Sequence, residues 1–478
     1  MEYSARSEML GGKDVKKLLI QLAVPATIGM IVNGLYNLVD TLFVGLGAGE
    51  VAIGALGFAF PVQLIIIAFG LMIGVGSASV FSRAYGRQDH DQMRHVANTA
   101  LRIDFIVALL FSVTGFIFIE PMLKFFGATA QNLPYAIEYL SIILLGLVPR
   151  TLAMVLNNLT RAEGRPNIAM ISMLTGAGLN IILDPFFIFE QLNFGLFTVS
   201  GLGLGVRGAA IATVISQVIA FTYIFIQAQS KDSELHIRVK DWFRRDRSTT
   251  WEIVKIGFPT FLRNALAALL MIFILRMISE FGGSDATIYQ SIYSVINRII
   301  MFLLFPAFGL VQGLNPIAGF NYGANNHKRL YDVIIYATKL TLIYFLIASL
   351  FVQLLAPHVF TLFSKENNPF FIETGARTFR IVTMGYLVIG FQIIIGSVYQ
   401  AFGYPIRALF MALSRQFLFF VPVAIVLTSL FELNGLWYSF PVADALAGGI
   451  ALYMMIHELR LIHKRHCEQQ EDPACLND

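Results

Sequence analysis

Asn33-Gly34-Leu35-Tyr36-Asn37-Leu38-Val39-Asp40 lies inside an apolar run that extends from Val15 to Val44. On a helix, Asn33, Tyr36, Asn37 and Asp40 fall at i, i+3, i+4 and i+7, one polar stripe on an otherwise apolar rod. Asp40 has no Lys or Arg within one helical turn. A carboxylate in a membrane span costs about 2.5–3.5 kcal/mol, so it faces a bundle interior or a wet cavity and marks a site.

The composition agrees with a membrane reading. The chain has 478 residues, 56% hydrophobic and 13% charged, where soluble domains carry roughly 25% charged residues. Its apolar segments recur at about 20 residues or more, which is helical length; barrel strands would be half as long and would alternate. Twelve spans are expected, near 15–44, 52–82, 95–118, 136–160, 167–189, 208–230, 251–280, 287–321, 330–355, 373–402, 406–430 and 435–458. The terminal segments, the even-numbered loops and the span ends beside them hold 22 Lys and Arg, and the odd-numbered loops only Lys124, Arg207 and Lys365. That bias places both termini in the cytoplasm and the protein in the cytoplasmic (inner) membrane. No cleavable signal peptide is expected, since the N-terminus is polar and the first apolar run is too long. Cys467 and Cys475 match no metal site. The basic residues are spread over loops, so no nucleic-acid partner is expected.

The polar stretch from Ser230 to Thr250 splits the chain, and a pattern recurs on either side of it. Pro25 matches Pro259, Phe81-Ser82-Arg83-Ala84-Tyr85-Gly86-Arg87 matches Ala318-Gly319-Phe320-Asn321-Tyr322-Gly323-Ala324, and the stretch 160–166 matches 399–405, at offsets of 234, 237 and 239. The fold class is therefore an all-α polytopic membrane protein, two six-helix bundles related by a parallel internal repeat. The division reads as residues 1–14, a cytoplasmic segment; 15–230, the N-terminal bundle; 231–250, a cytoplasmic linker; 251–458, the C-terminal bundle; and 459–478, a cytoplasmic tail. At these offsets Asp40 aligns with Ile274, and Asn180 and Asp184 with Phe419 and Val423. The fold does not need the acids; a function confined to the N-terminal bundle could.

Asn180 and Asp184, in Gly-Leu-Asn-Ile-Ile-Leu-Asp-Pro-Phe, share a helix face at i, i+4. The spans carrying Asp40 and Asp184 run in the same direction, so the two acids lie at similar depth. Two such carboxylates cannot both stay charged without a cation or a proton between them. Carboxylate, Asn and Thr oxygens suit Na⁺, and the same pair can share one proton. Thr213 and Gln217 are weaker candidates. Asp444 is either a site of the C-terminal bundle or a packing partner for one of the intramembrane arginines, Arg150, Arg263, Arg276, Arg298 and Arg415. Pro25 reads as a kink and a hinge candidate. No Gly-Lys-Ser/Thr motif is present, so ATP is not the driving force. No nucleophile–base constellation argues for an enzyme, and no cofactor is expected.

Leu35-Tyr36-Asn37-Leu38-Val39-Asp40, Gly178-Leu179-Asn180-Ile181-Ile182-Leu183-Asp184-Pro185, Arg161-Ala162-Glu163-Gly164 and Gly205-Val206-Arg207-Gly208-Ala209-Ala210-Ile211-Ala212-Thr213 resemble the multidrug and toxic compound extrusion (MATE) family, from about residue 15 to 458. The resemblance implies a coupling-cation site at Asp40, Asp184, Asn180 and Thr213, with Tyr36 and Asn157 as polar neighbours beside Asn33 and Asn37, and a functional bend at Pro25. It implies export of amphiphilic, often cationic, small molecules from the membrane in exchange for H⁺ or Na⁺, here by a monomer. The alternative is a flippase for a lipid-linked oligosaccharide, against which the central acids argue, since they would repel a pyrophosphate.

Overall fold

Inside a bilayer a helix satisfies its own backbone N–H and C=O groups, and the apolar runs fold accordingly. In the computed structural model the helices are α1 (Ala5–Gly12), α2 (Val15–Ala48), α3 (Glu50–Gly86), α4 (His90–Ile117), α5 (Ile119–Phe125), α6 (Leu133–Leu145), α7 (Leu147–Ala162) and α8 (Pro166–Ile188). They continue as α9 (Gly205–Ala228), α10 (Arg247–Phe281), α11 (Ala286–Gly323), α12 (His327–Phe363), α13 (Pro369–Thr383), α14 (Tyr386–Phe402), α15 (Pro405–Leu413) and α16 (Val421–Gln470), with a π-helical segment, Ser414–Phe420, joining the last two. The structure describes residues 5–48, 50–126, 128–129, 132–193, 198–235, 237–238, 240, 246–364 and 368–471. Lys365, Cys475 and parts of the 1–14, 231–250 and 459–478 segments lie outside the described residues.

Among the described residues nine helices are long and apolar enough to cross a membrane, and two bent pairs raise the number to eleven. The stretch Pro405–Gln470 makes two passes. It leaves helical geometry at Glu432, and Arg415 meets Asp444 at 2.6 Å across a separation of 29 residues, which a straight helix would hold about 44 Å apart. The twelve expected spans are present.

Two of them are not straight. The expected spans 136–160 and 373–402 are broken, by 52° between α6 and α7 and by 46° between α13 and α14. Gly146 and Gly385 cap the second helix of each pair. A Cβ at Gly146 would lie 2.6 Å from Val214 Cγ2, and one at Gly385 would lie 2.4 Å from Asp444 Cβ. A neighbouring helix thus presses on backbone where a side chain would stand. The two breaks are 239 residues apart, the offset of the third repeated motif. The antiparallel pair β1 (Gln191–Asn193) and β2 (Thr198–Ser200) follows α8. Periodicity does not announce strands this short.

The chain divides into two compact units, residues 1–27 with 265–478, and residues 28–264. The cuts fall inside α2, just after Pro25, and inside α10, just after Pro259. Close backbone approach explains both. In the first unit, a Cβ at Gly313 would lie 2.7 Å from Ala23 N; in the second, a Cβ at Gly257 would lie 1.8 Å from Met72 O, and one at Gly76 2.1 Å from Ile253 O. Gly76 and Gly313 correspond at the 237 offset, and Ala23 and Gly257 at the 234 offset. In each repeat, then, glycine lets the early turns of the first helix lie directly on another helix of its unit.

Each unit has its own apolar core. One gathers Ile66, Leu140, Ile143, Leu144 and Leu147; the other gathers Ile274, Phe360, Phe379, Leu436 and Trp437. The Arg161-Ala162-Glu163-Gly164 motif performs a structural task in the 28–264 unit. The buried Glu163 carboxylate accepts from Glu234 N at 2.7 Å and from Ser233 Oγ at 3.3 Å, which pins the start of the polar stretch to the end of α7.

Candidate functional site

The candidate acids lie in the 28–264 unit, on α2 and α8, with α9 behind them. The buried positions of α8 include Ala169, Ser172, Ala177, Asn180, Asp184 and Ile188, and those of α9 include Ala209, Thr213, Ser216, Ala220 and Ile224. Both sets run at helical spacing. Small residues line this contact: a Cβ at Gly176 would touch Ala220 Cβ at 3.2 Å, and Ser172 Oγ donates to Ala220 O at 3.1 Å. The close packing carries Asn180 to Thr213.

Asn180 Nδ2 donates to Asp184 Oδ1 at 2.8 Å and to Thr213 Oγ1 at 3.2 Å. Asp184 is 0% exposed, and Asp40, reaching in from α2, 8%. The two carboxyl groups stand within hydrogen-bonding reach of each other. Neither Asp40 Oδ1 nor Asp184 Oδ2 has a donor, and Asn180 Oδ1 and the buried Asn157 Oδ1 also lack one. The orphaned atoms are all oxygen acceptors. A proton between the carboxyls, or a hard cation, fits such a set. Among the described residues no three His, Cys, Asp or Glu side chains group so as to hold a metal ion.

The rest of the polar stripe behaves differently. Tyr36 is half-buried and within electrostatic reach of Asp40, Asp184 and Arg150. Asn33 and Asn37 are exposed, and Asn37 Nδ2 is spent on Asn33 O at 2.7 Å. Pro25 lies buried in α2, in the other unit. Gln217 has its Oε1 buried without a donor.

Two residues were overlooked or undervalued in the sequence. Arg150 donates from Nη1 to Gln63 Oε1 at 3.3 Å, and Tyr139, beside the same Gln63, is within electrostatic reach of both Arg150 and Asp40. Arg150 thus lies within electrostatic reach of Tyr36 and Tyr139, the two phenols that also sense Asp40. Asp104 on α4 is buried beside Thr151, with Oδ2 lacking a partner. Its signal was present, an acid followed by Phe105-Ile106-Val107 inside an apolar run; the preceding Arg102 makes it look like a loop-edge charge.

The MatE family model matches residues 25–186 and 259–426, one match in each repeat. The chain is 27% identical over 444 residues to the multidrug export protein MepA of Staphylococcus haemolyticus, covering 93% of this chain and 94% of that protein. A solved multidrug resistance MATE family transporter of the MOP superfamily, in an outward-facing conformation, superposes with a TM-score of 0.87 at 27% identity, over 97% of this chain and 100% of that one. A MATE in the bent conformation superposes equally well, at TM-score 0.87 and 27% identity, over 97% and 99%.

Proposed function

Because this chain belongs to the MatE family, whose members are transporters and not enzymes, we propose that it is a secondary antiporter, exporting amphiphilic and often cationic small molecules in exchange for H⁺ or Na⁺. The multidrug export relatives support efflux of small molecules. One observation carries the coupling: two facing buried carboxyls, each with an oxygen that no protein donor satisfies. In low dielectric such a pair binds a proton or a cation or stays strained. A coupling ion does work only if it binds one conformation better than another, and its competition with a cationic substrate follows by linkage.

Pro25 supplies the mobile joint in this reading. It removes a backbone hydrogen bond from α2, and the division between compact units falls just beyond it. Neutralising the Asp40–Asp184 pair then biases the bend of the segment that carries Asp40. The membrane is the cytoplasmic one and both termini face the cytoplasm, supported by the crowding of basic residues in the even-numbered loops. Labelling of Lys231→Cys, an exposed position of the polar stretch, from outside intact cells tests this topology and is expected to fail.

The deciding experiment uses the full chain in proteoliposomes loaded with ethidium, under separately imposed H⁺ and Na⁺ gradients. Export is expected under at least one gradient and is expected to fall about a hundredfold, about 2.7 kcal/mol in rate, in both Asp40→Asn and Asp184→Asn. Normal export by both variants, at normal incorporation, overturns the reading.

A further inference from the structure

The 265–478 part of the other unit holds a second buried polar cluster, on α15 with its π-helical continuation, on α16 and on α14. Arg415 Nε donates to Asp444 Oδ1 at 2.6 Å. The phenol of Tyr386, at the start of α14, lies beside the same guanidinium, within electrostatic reach. Arg415 stands in the first turn of the π-helical segment Ser414–Phe420, a form of backbone concentrated at functional sites. Gln392 supports that turn, donating from Nε2 to Met411 O at 2.8 Å and to Ser414 Oγ at 3.1 Å.

Arg415 and Asp444 lie on the fifth and sixth helices of their repeat, the counterparts of α8 and α9, which carry Asp184, Asn180 and Thr213. The same helix pair therefore bears a buried acid in each repeat, bonded to Asn180 in the first and to Arg415 in the second. The break at Gly385 admits Asp444: a Cβ there would come within 2.7 Å of Asp444 Oδ2.

The contact is one-sided. Asp444 is buried and uses one oxygen on Arg415, while its Oδ2 has no partner. Arginine and carboxylate commonly meet as a two-pronged fork. Here the guanidinium is gripped through Nε, so its terminal nitrogens are not committed to Asp444. The Arg415 side chain is also the accessible member, 24% exposed against 2% for Asp444. A charged side chain in a span does not face hydrocarbon at no cost, so its open part faces water or a ligand.

We propose that Arg415, oriented by Asp444 and flanked by Tyr386, is an anion subsite of this unit that takes the carboxylate of an amphiphilic weak acid or zwitterion. A planar carboxylate matches the free edge of the guanidinium. Binding leaves one guanidinium between two carboxylates, which favours a singly charged ligand over a phosphate dianion. The subsite goes beyond cation-coupled export and does not depend on it.

The test is binding of the fluorescent acid dansylaminoundecanoate, and of its uncharged methyl ester, to the full chain in phosphatidylcholine nanodiscs. The acid is expected to bind at least tenfold more tightly than the ester; equal binding overturns the proposal. In Arg415→Met/Asp444→Asn, which removes both charges and leaves no buried ion unpaired, acid and ester are expected to bind alike; a surviving tenfold preference overturns it. Should that variant not assemble, Arg415→Lys decides, since it keeps the charge and loses the fork: the preference is expected to fall at least threefold, and an unchanged preference overturns the proposal. Nanodiscs of phosphatidylglycerol separate the sources of anion. They are expected to leave the acid bound, and displacement as complete as that by unlabelled laurate overturns the carboxylate assignment in favour of a lipid phosphate. Asp40→Asn is expected to keep the preference, so failure here and failure of the coupling reading are distinguishable.

Discussion

Helices five and six carry buried polar groups in both repeats, and the two clusters solve opposite electrostatic problems. On α8 and α9, Asp184 faces a second acid, and oxygens point at one another without donors. On the π-helical segment and α16, Asp444 is matched by Arg415 at 2.6 Å. The first arrangement leaves oxygens without protein donors, which suits the coupling ion proposed above. The second is matched in charge, which suits a fixed recognition point. A parallel repeat preserves helix positions and leaves the charges free to diverge, so the same place in two bundles can become a coupling site in one and a binding arginine in the other.

The comparison breaks most directly at Arg415. Arg415→Met alone strands the buried Asp444 and is expected to destabilise the protein by about 3–5 kcal/mol, with Arg415→Met/Asp444→Leu recovering most of it; denaturant or thermal unfolding in detergent measures both. The acid pair is expected to respond the other way. Asp40→Asn relieves an uncompensated pair, so its thermal midpoint is expected to match or exceed the parent's while gradient-driven ethidium export falls about a hundredfold, or about 2.7 kcal/mol in rate. A variant that lost stability and export together would make the acids structural and erase the contrast.

The helix breaks sharpen it further. Gly385→Ala is expected to cost about 1–3 kcal/mol by overpacking, because its Cβ meets the Cβ and Oδ2 of Asp444; Gly146→Ala, which meets only the branched end of Val214, is expected to cost less. Equal melting shifts would show that the ion pair yields as easily as a valine. The smallest effect lies outside the membrane, in the 28–264 unit, where Asp246 accepts from the backbone of Ser248 and Thr249 and from the Thr249 hydroxyl at the start of α10. That hydroxyl above all holds its carboxyl below the usual range. A depressed carboxylate stabilises above its unfolded value, about 3.9, and the contribution is lost as the pH falls below that. Asp246→Ala is expected to cost about 0.5–1 kcal/mol at neutral pH, with the difference from the parent vanishing in acid, as a pH series of unfolding curves would show.

Composition and the length of apolar runs determined the membrane class and the twelve spans, because hydrocarbon thickness sets helix length regardless of tertiary contacts. The repeated motifs and their offsets determined the twofold organisation. The acids Asp40 and Asp184 and their partner Asn180 were legible for a related reason: a carboxylate in an apolar run is costly wherever the helix ends up. Other features depend on what lies across a helix interface, and no local pattern encodes that. Asn33 and Asp40 share one stripe in sequence, yet only packing left Asn33 exposed and buried Asp40 against α8. Which arginine would meet Asp444 was open among five, and the turn at Glu432 chose Arg415. The sequence places its strongest divide at the polar stretch 230–250, while the compact units are cut within α2 and α10, where Gly313, Gly257 and Gly76 let the first turns of a helix lie on backbone. A glycine in an apolar run looks like any other small residue until the helix that presses on it is known.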